Sequence, residues 1–95
     1  MKIYLPHIKY TVHVRRFTKP HPELPNSHAY TTRVNQHSCA VYIKKGAKPP
    51  IIAHELVHVL RFICQDRDMS FINEEEHMAY IMQLLMGRIL GFEYY

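Results

Sequence analysis

Residues 48–62 read KPPIIAHELVHVLRF, and the chain changes character at this point. Gly46 and the pair Pro49-Pro50 end a region of short β-branched runs. Proline is favoured in the first turn of a helix because its missing N–H is not needed there. Apolar residues then occur on nearly every side of the segment, a pattern typical of a helix that is buried all round. The sequence therefore predicts a central helix over about residues 50–64.

Ahead of this helix, runs rich in β-branched and aromatic residues alternate with turn-forming segments. The predicted strands are residues 8–17 (IKYTVHVRRF), 29–34 (AYTTRV) and 39–45 (CAVYIKK), with residues 2–5 (KIYL) as a fourth candidate. In residues 39–44 the apolar side chains alternate with the others, which predicts an antiparallel sheet with one covered face.

A second helix is predicted over about residues 71–90, after the polar link QDRDMS at residues 65–70. Its long apolar run, MAYIMQLLMGRIL, implies burial, and the short link makes the two helices neighbours. Asn73 is the predicted N-cap, with Glu76 at the third helical position. The predicted fold class is α+β, with a small antiparallel N-terminal β-sheet packed on two helices in a single domain over residues 1–95.

Composition sets limits on the class of protein. The chain has 95 residues, of which 47% are hydrophobic and 21% are charged, as is usual for a soluble globular domain. No run of about 18 apolar residues occurs, so neither a membrane span nor a secretory signal is predicted, and a cytoplasmic location without a membrane partner is expected. Cys39 and Cys64 are too few for a disulfide framework and are predicted to be buried structural thiols.

The formal net charge is +4, with basic residues gathered near residues 9–19 and 44–48. Such a balance can serve a nucleic-acid or acidic partner. No aromatic-and-basic signature of an RNA-binding module and no zinc-finger spacing accompanies it. A solvated face is the favoured interpretation, and nucleic acid is not expected as a partner.

The pentad HELVH, residues 54–58, has the spacing of a metal site. His54 and His58 are four residues apart, so a helix projects both imidazoles from one face, close enough to share an ion. Glu55 lies about 100° round the helix from His54 and suits a general base acting on a metal-bound water. The alternative is a pair of buried histidines that bond to backbone groups. Burying all three polar groups without a partner would cost on the order of several kcal/mol, which favours a metal.

Two histidines leave a catalytic zinc site in need of one further protein ligand. The second helix opens with NEEEHMAY, residues 73–80, and its glutamates supply candidate oxygen ligands. Acidic residues in a first helical turn also favour the macrodipole and capping. At least two of the three glutamates are expected to do only that.

HELVH followed by EHMAY, an HExxH motif and then a Glu three residues before an Ala, resembles the gluzincin type of zinc metallopeptidase, in particular its minimal single-domain members. The resemblance covers roughly residues 38–90. It implies Zn²⁺ as the cofactor, His54, His58 and Glu76 as its ligands, and Glu55 as the catalytic base. It also implies that Ala79 is small enough to let the helices approach. The mean apolar direction of the second helix falls closer to Glu75, which is kept as the alternative third ligand.

The resemblance implies a zinc-dependent metallopeptidase that hydrolyses a peptide or protein substrate through a zinc-bound water. An extended substrate would pair with an exposed edge of the strand at residues 39–45. The candidate donors to the oxyanion are Tyr80, His77, Tyr94 and Tyr95.

Two other functions compete with this one. The chain could be a zinc-binding structural or interaction module, for example a viral or mobile-element accessory protein, without significant hydrolytic activity. Glu55 favours the enzyme because a structural site needs no base, whereas the small size of the chain favours the module. A zinc site acting on a phosphodiester is the third hypothesis, and it predicts a steep dependence of nucleic-acid binding on salt.

Overall fold

A computed structural model describes residues 1–19 and 28–91, which form four strands and two helices. In chain order the elements are β1 (Lys2–Leu5), β2 (Tyr10–Phe17), β3 (Ala29–Asn35), β4 (Ser38–Lys44), α1 (Pro49–Asp66) and α2 (Glu75–Leu90). The predicted α+β class is confirmed. No helix in the described ranges combines the length and the apolar content needed to cross a bilayer.

The four strands form one mixed sheet in the order β1-β2-β4-β3. β1 runs antiparallel to β2, and β3 runs antiparallel to β4, but β2 and β4 are parallel. The prediction of a wholly antiparallel sheet is therefore wrong at the central pairing. Five of the seven β4 residues are buried, whereas no β3 residue is. The more apolar strand takes the centre, and placing β4 beside β2 makes that pair parallel.

The position of β4 also corrects the prediction that its edge is exposed. β4 is paired on both sides, and among the described strands β3 lies at this edge of the sheet. The predicted alternation along β4 is present in part, because Ala40 is buried although Tyr42 and Lys44 are not. Cys39, Val41 and Ile43 are fully buried. These three side chains join a core built with inward residues of β1 and β2 and with one face of each helix.

The sequence predicts that α1 is buried all round, and this prediction is wrong. Its buried residues lie along one side, while His54, Val57, His58 and Arg61 are exposed. The sheet covers only one face of the helix and α2 covers part of another, so the remaining apolar positions stay in solvent. This exposed side carries the two histidines of the HELVH motif.

α2 begins later than predicted because the chain turns through residues 71–74. The N-cap is Glu74, without a side-chain capping bond, so the prediction of Asn73 in this role is wrong. The Asn73 N–H instead donates to Ser70 Oγ at 3.4 Å, and the Glu74 N–H donates to the Ser70 carbonyl at 2.9 Å. These two hydrogen bonds have the spacing of a first helical turn capped by Ser70, so the chain forms one turn before α2 begins at Glu75.

Both cysteines are buried free thiols, which confirms their predicted structural role. Burial raises the pKa of the Cys39 thiol to about 11. Burial, and to a smaller extent the charge of Glu74, also raises the pKa of Cys64. Raised pKa values disfavour the thiolate that reacts with oxidants and metals, so neither cysteine is suited to catalysis.

Arg67, just after α1, connects the end of that helix to the sheet. Its Nε donates to the carbonyl of Ile8 at 2.7 Å, and its two Nη atoms donate to the carbonyls of Lys9 and Gln36 at 2.9 Å each. The guanidinium carbon lies 5.4 Å from the ring centroid of Tyr10. One side chain thus holds the β1–β2 turn and the β3–β4 turn against the same helix end.

We expect Arg67→Ala to lower the free energy of unfolding by about 3 kcal/mol, because three carbonyls lose a charged donor. The matched control is Arg61→Ala, which changes an exposed residue of α1. It should lower the free energy of unfolding by less than about 0.5 kcal/mol. Urea unfolding followed by circular dichroism measures both. Equal stability of the two variants would show that the Arg67 contacts contribute little.

Candidate metal centre

The HELVH residues occupy the middle of α1, where successive turns bring them together. The ring centroids of His54 and His58 lie 5.1 Å apart, with the ring planes at 74°. Ligand atoms of His54, Glu55 and His58 all lie within 4.8 Å of one another. The predicted proximity of the two imidazoles on one helix face is therefore present, with the Glu55 carboxylate beside them.

The two histidines are exposed, and 71% of the His54 side chain is accessible to solvent. The argument that a metal relieves the cost of burying both rings is therefore wrong for this fold, because only Glu55 is buried, at 7% exposure. Within the described residues, the two imidazoles contact each other. His54 Nε2 also lies 4.0 Å from Glu55 Oε2. Exposed rings of this kind can accept a ligand from solvent.

Glu55 is held by the edge strand. Thr31 Oγ1 lies 2.8 Å from Glu55 Oε1, to which it donates, and 3.3 Å from the Glu55 carbonyl oxygen. Two residues further along β3, Arg33 forms an ion pair with Asp66 at the end of α1. The hydrogen bond orients one carboxylate oxygen towards β3 and leaves the other beside His54.

Sequence analysis missed Thr31, because nothing local marks it. It lies 24 residues before Glu55, within a run of two threonines in an ordinary strand pattern. Only the register of β3 on β4, which pairs Thr31 with Val41, turns its hydroxyl towards the helices. No motif spacing could have identified this contact.

Glu75 and Glu76 both lie in the first turn of α2 and are exposed. In the described part of the chain, the group of clustered metal-ligating side chains contains neither of them. A groove of about 270 Å³ between α1 and α2 is lined by Val57, Leu60, Phe71, Glu75, Met78, Ala79 and Met82. Glu75 thus lies in the groove next to the exposed side of α1. Ala79 also lines this groove, and its small side chain leaves the groove open.

A second cleft, of about 350 Å³, opens at the start of α1 beside β3. It is lined by His28, Ala29, Pro50, Ile51 and His54. His28 has no ligand spacing in the sequence, yet the fold places it in the same cleft as a candidate metal ligand. A molecule bound in this cleft would contact His54 directly.

The predicted oxyanion donors differ in exposure and in the contacts that they make. Tyr80 is 70% exposed on α2, whereas His77 Nε2 lies 2.9 Å from Nε2 of His7 in the β1–β2 turn. That contact occupies the His77 ring nitrogen with another partner. Tyr94 and Tyr95 lie outside the described residues.

The chain matches no protein-family model, no curated protein and no solved structure. The support for a metal comes from the donor set itself. Imidazole nitrogen and carboxylate oxygen are ligands that zinc accepts, and a catalytic zinc site keeps a position open for water. Two exposed imidazoles beside one oriented carboxylate supply ligand atoms of these types and leave the site open to water.

Proposed function

We propose that this chain is a zinc-dependent metallopeptidase of the gluzincin type, with a zincin-like domain. His54 and His58 hold the zinc ion, and a glutamate of α2 completes the protein ligands. The observation that carries the proposal is the approach of the donor atoms of His54, Glu55 and His58 to within 4.8 Å of one another on α1.

The resemblance to gluzincins favours Glu76 as the third ligand, whereas the position in the groove between the helices favours Glu75. The E-x-x-A spacing supports Glu76, while the lining of the groove between the helices supports Glu75. Both carboxylates lie in the first turn of α2, which follows the turn at residues 71–74.

The chemistry of the site follows from the position of Glu55. Zinc, when bound, supplies a Lewis acid that acidifies water and polarises the scissile carbonyl. Glu55 accepts the proton of the attacking water and passes it to the leaving amine. The Thr31 hydroxyl holds one carboxylate oxygen, so the other is free to make this transfer.

A peptide substrate fits the edge of the sheet better than its centre. Among the described strands, β3 lies at one edge of the sheet and against α1, and Ala29 and His28 at its start line the cleft beside His54. An extended chain can add to such an edge through main-chain hydrogen bonds. This position replaces the one expected for β4.

A zinc-binding interaction module remains the second candidate, and one observation favours it. Within the described residues, no α2 carboxylate joins the clustered donors, so the site lacks a third strong ligand in this arrangement. A partner protein would then supply the missing ligand.

Removal of metal tests the proposal. We expect the zinc-loaded protein to cleave fluorescein-labelled casein, and treatment with 1,10-phenanthroline to reduce cleavage to background because the Lewis acid is lost. Adding zinc back should restore the activity, whereas adding calcium, which prefers sets of oxygen ligands, should not. Zinc binding without cleavage would support the interaction module, and cleavage that survives complete loss of metal would exclude the mechanism.

A further inference from the structure

The sheet has a second face, which the two helices leave uncovered. Residues paired across the strands share a face, and the large buried residues of β1, β2 and β4 point to the helix side, while the small residues Ser38 and Ala40 are buried on the opposite face. The opposite, open face carries Lys2, Tyr4, Thr11, His13, Arg15, Phe17, Tyr30, Thr32, Ala40, Tyr42 and Lys44. Thr31, which contacts Glu55, belongs to the inner face, so the open face is separate from the metal centre.

The charge on this open face has a single sign. No strand contains an Asp or Glu, and the face presents Lys2, Arg15 and Lys44 together with His13. Across the chain, nine of the twelve Lys and Arg residues fall within residues 1–48, where Glu23 is the one acidic residue. The described acidic residues all lie in or between the helices, so the open face is the basic side of the molecule.

A small cleft at one end of the open face concentrates this charge. It measures about 180 Å³ and is lined by Met1, Lys2, His13, Val14 and Arg15. The pKa of His13 is lowered, first by burial and then by the positive charges of Lys2, Arg15 and the N-terminal ammonium. The cationic groups that line this cleft create a positive local potential, which attracts phosphate groups.

Aromatic rings lie beside these charges. Tyr30 and Tyr42, paired across β3 and β4, stack with ring centroids 4.6 Å apart and planes at 9°. Phe17 lies 6.1 Å from Tyr30 and extends the row, while Tyr4, on the other edge strand, is 55% exposed. Aromatic side chains on a four-stranded sheet are a surface on which unstacked bases pack.

We propose that this open face binds single-stranded nucleic acid, with phosphates along Lys2, Arg15 and Lys44 and bases against the Phe17, Tyr30 and Tyr42 row. An acidic peptide or an anionic membrane would use the charges but has no need of a ring platform between them. The sequence shows no such signature because its members come from all four strands and meet only through the strand register. Among the described residues, no acidic side chain lies on this face, which completes the match.

Fluorescence anisotropy with a labelled oligothymidylate of about twelve nucleotides tests this surface on the full chain. Three phosphate contacts predict a slope of about −2 in a plot of log K against log salt. The double variant Arg15→Gln/Lys44→Gln should bind roughly 25-fold more weakly at about 0.1 M salt, because two contacts are lost. The control Lys48→Gln/Arg88→Gln removes the same charge from helix positions and should change binding less than about twofold.

Tyr42 tests the ring platform separately from charge. Tyr42→Leu should weaken binding by about fivefold or more, whereas Tyr42→Phe keeps the ring and should bind as the wild type does. Thermal unfolding by circular dichroism verifies that each variant is folded before its affinity is compared.

Several results would overturn the proposal. These are no binding at about 50 mM salt, an equal loss in the helix-side control, or full binding by folded Tyr42→Leu. Binding to phosphatidylserine vesicles without binding to the oligonucleotide would assign the face to a membrane surface instead. None of these outcomes depends on whether the metal centre is catalytic.

Discussion

Glu55→Gln is expected to lower kcat/KM for peptide hydrolysis by about 10³-fold while zinc content stays at the wild-type level. Glutamine keeps the size of the side chain and an oxygen that accepts the Thr31 hydrogen bond. Its amide cannot take a proton from water, so the general-base step fails while the fold and the two imidazole ligands remain. An unchanged metal content together with lost turnover separates the role of a base from that of a ligand.

The measurement compares Glu55→Gln with Glu74→Gln on the labelled casein substrate, with metal content determined in the same preparations. Glu74 is exposed and is the N-cap residue of α2, so its variant controls for the loss of one carboxylate. Activity of Glu55→Gln above about one tenth of wild type would remove Glu55 from the role of base. Loss of zinc in Glu55→Gln would instead make this carboxylate a ligand, and the mechanism would need revision.

His58→Ala should abolish metal binding. We expect about one zinc ion per chain in the wild type purified without added metal, and less than about 0.1 in the variant, because a site with three protein ligands rarely retains its ion after losing one. His13→Ala, which removes an imidazole from the other face of the sheet, is the control and should keep the metal. Elemental analysis by mass spectrometry gives these ratios directly.

The same measurement identifies the third ligand. One of Glu75→Gln and Glu76→Gln should weaken zinc retention, and the other should behave as the wild type does, since each replaces one carboxylate of the first turn of α2 with a neutral amide. Loss in Glu75→Gln would support the groove position, and loss in Glu76→Gln would support the family spacing. A wild type that takes up no zinc would refute both the site and the peptidase proposal.

Much of the fold could be predicted from local patterns. The Pro49-Pro50 pair and the apolar run marked α1, and the alternation of Cys39, Val41 and Ile43 marked the covered face of β4. These signals depend on neighbouring residues only, as helix and strand periods do. The start of α2 was less accessible, because residues 71–74 form a turn whose hydrogen bond from the Glu74 N–H to the Ser70 carbonyl has helical spacing.

Strand order and exposure were beyond local patterns. A strand pattern states that β4 has an apolar face but not which strands lie beside it, so the parallel β2–β4 pairing could not be anticipated. Similarly, the apolar residues around α1 suggested burial on all sides, whereas Val57 and both histidines face solvent. Burial depends on how many elements are available to cover a helix, which for this chain is one sheet and one other helix.

The sequence by itself determined that His54 and His58 come together, because a spacing of four residues in one helix brings side chains to one face whatever surrounds it. It also determined the α+β class, through the change from strand periods to helical periods near residue 48. The tertiary structure alone decided that Thr31 orients Glu55, that Glu75 lines the groove between the helices, and that lysine, arginine and aromatic residues of four strands share an open face. Each of these depends on register or packing between segments distant in the chain, and such contacts leave no periodic trace in the sequence.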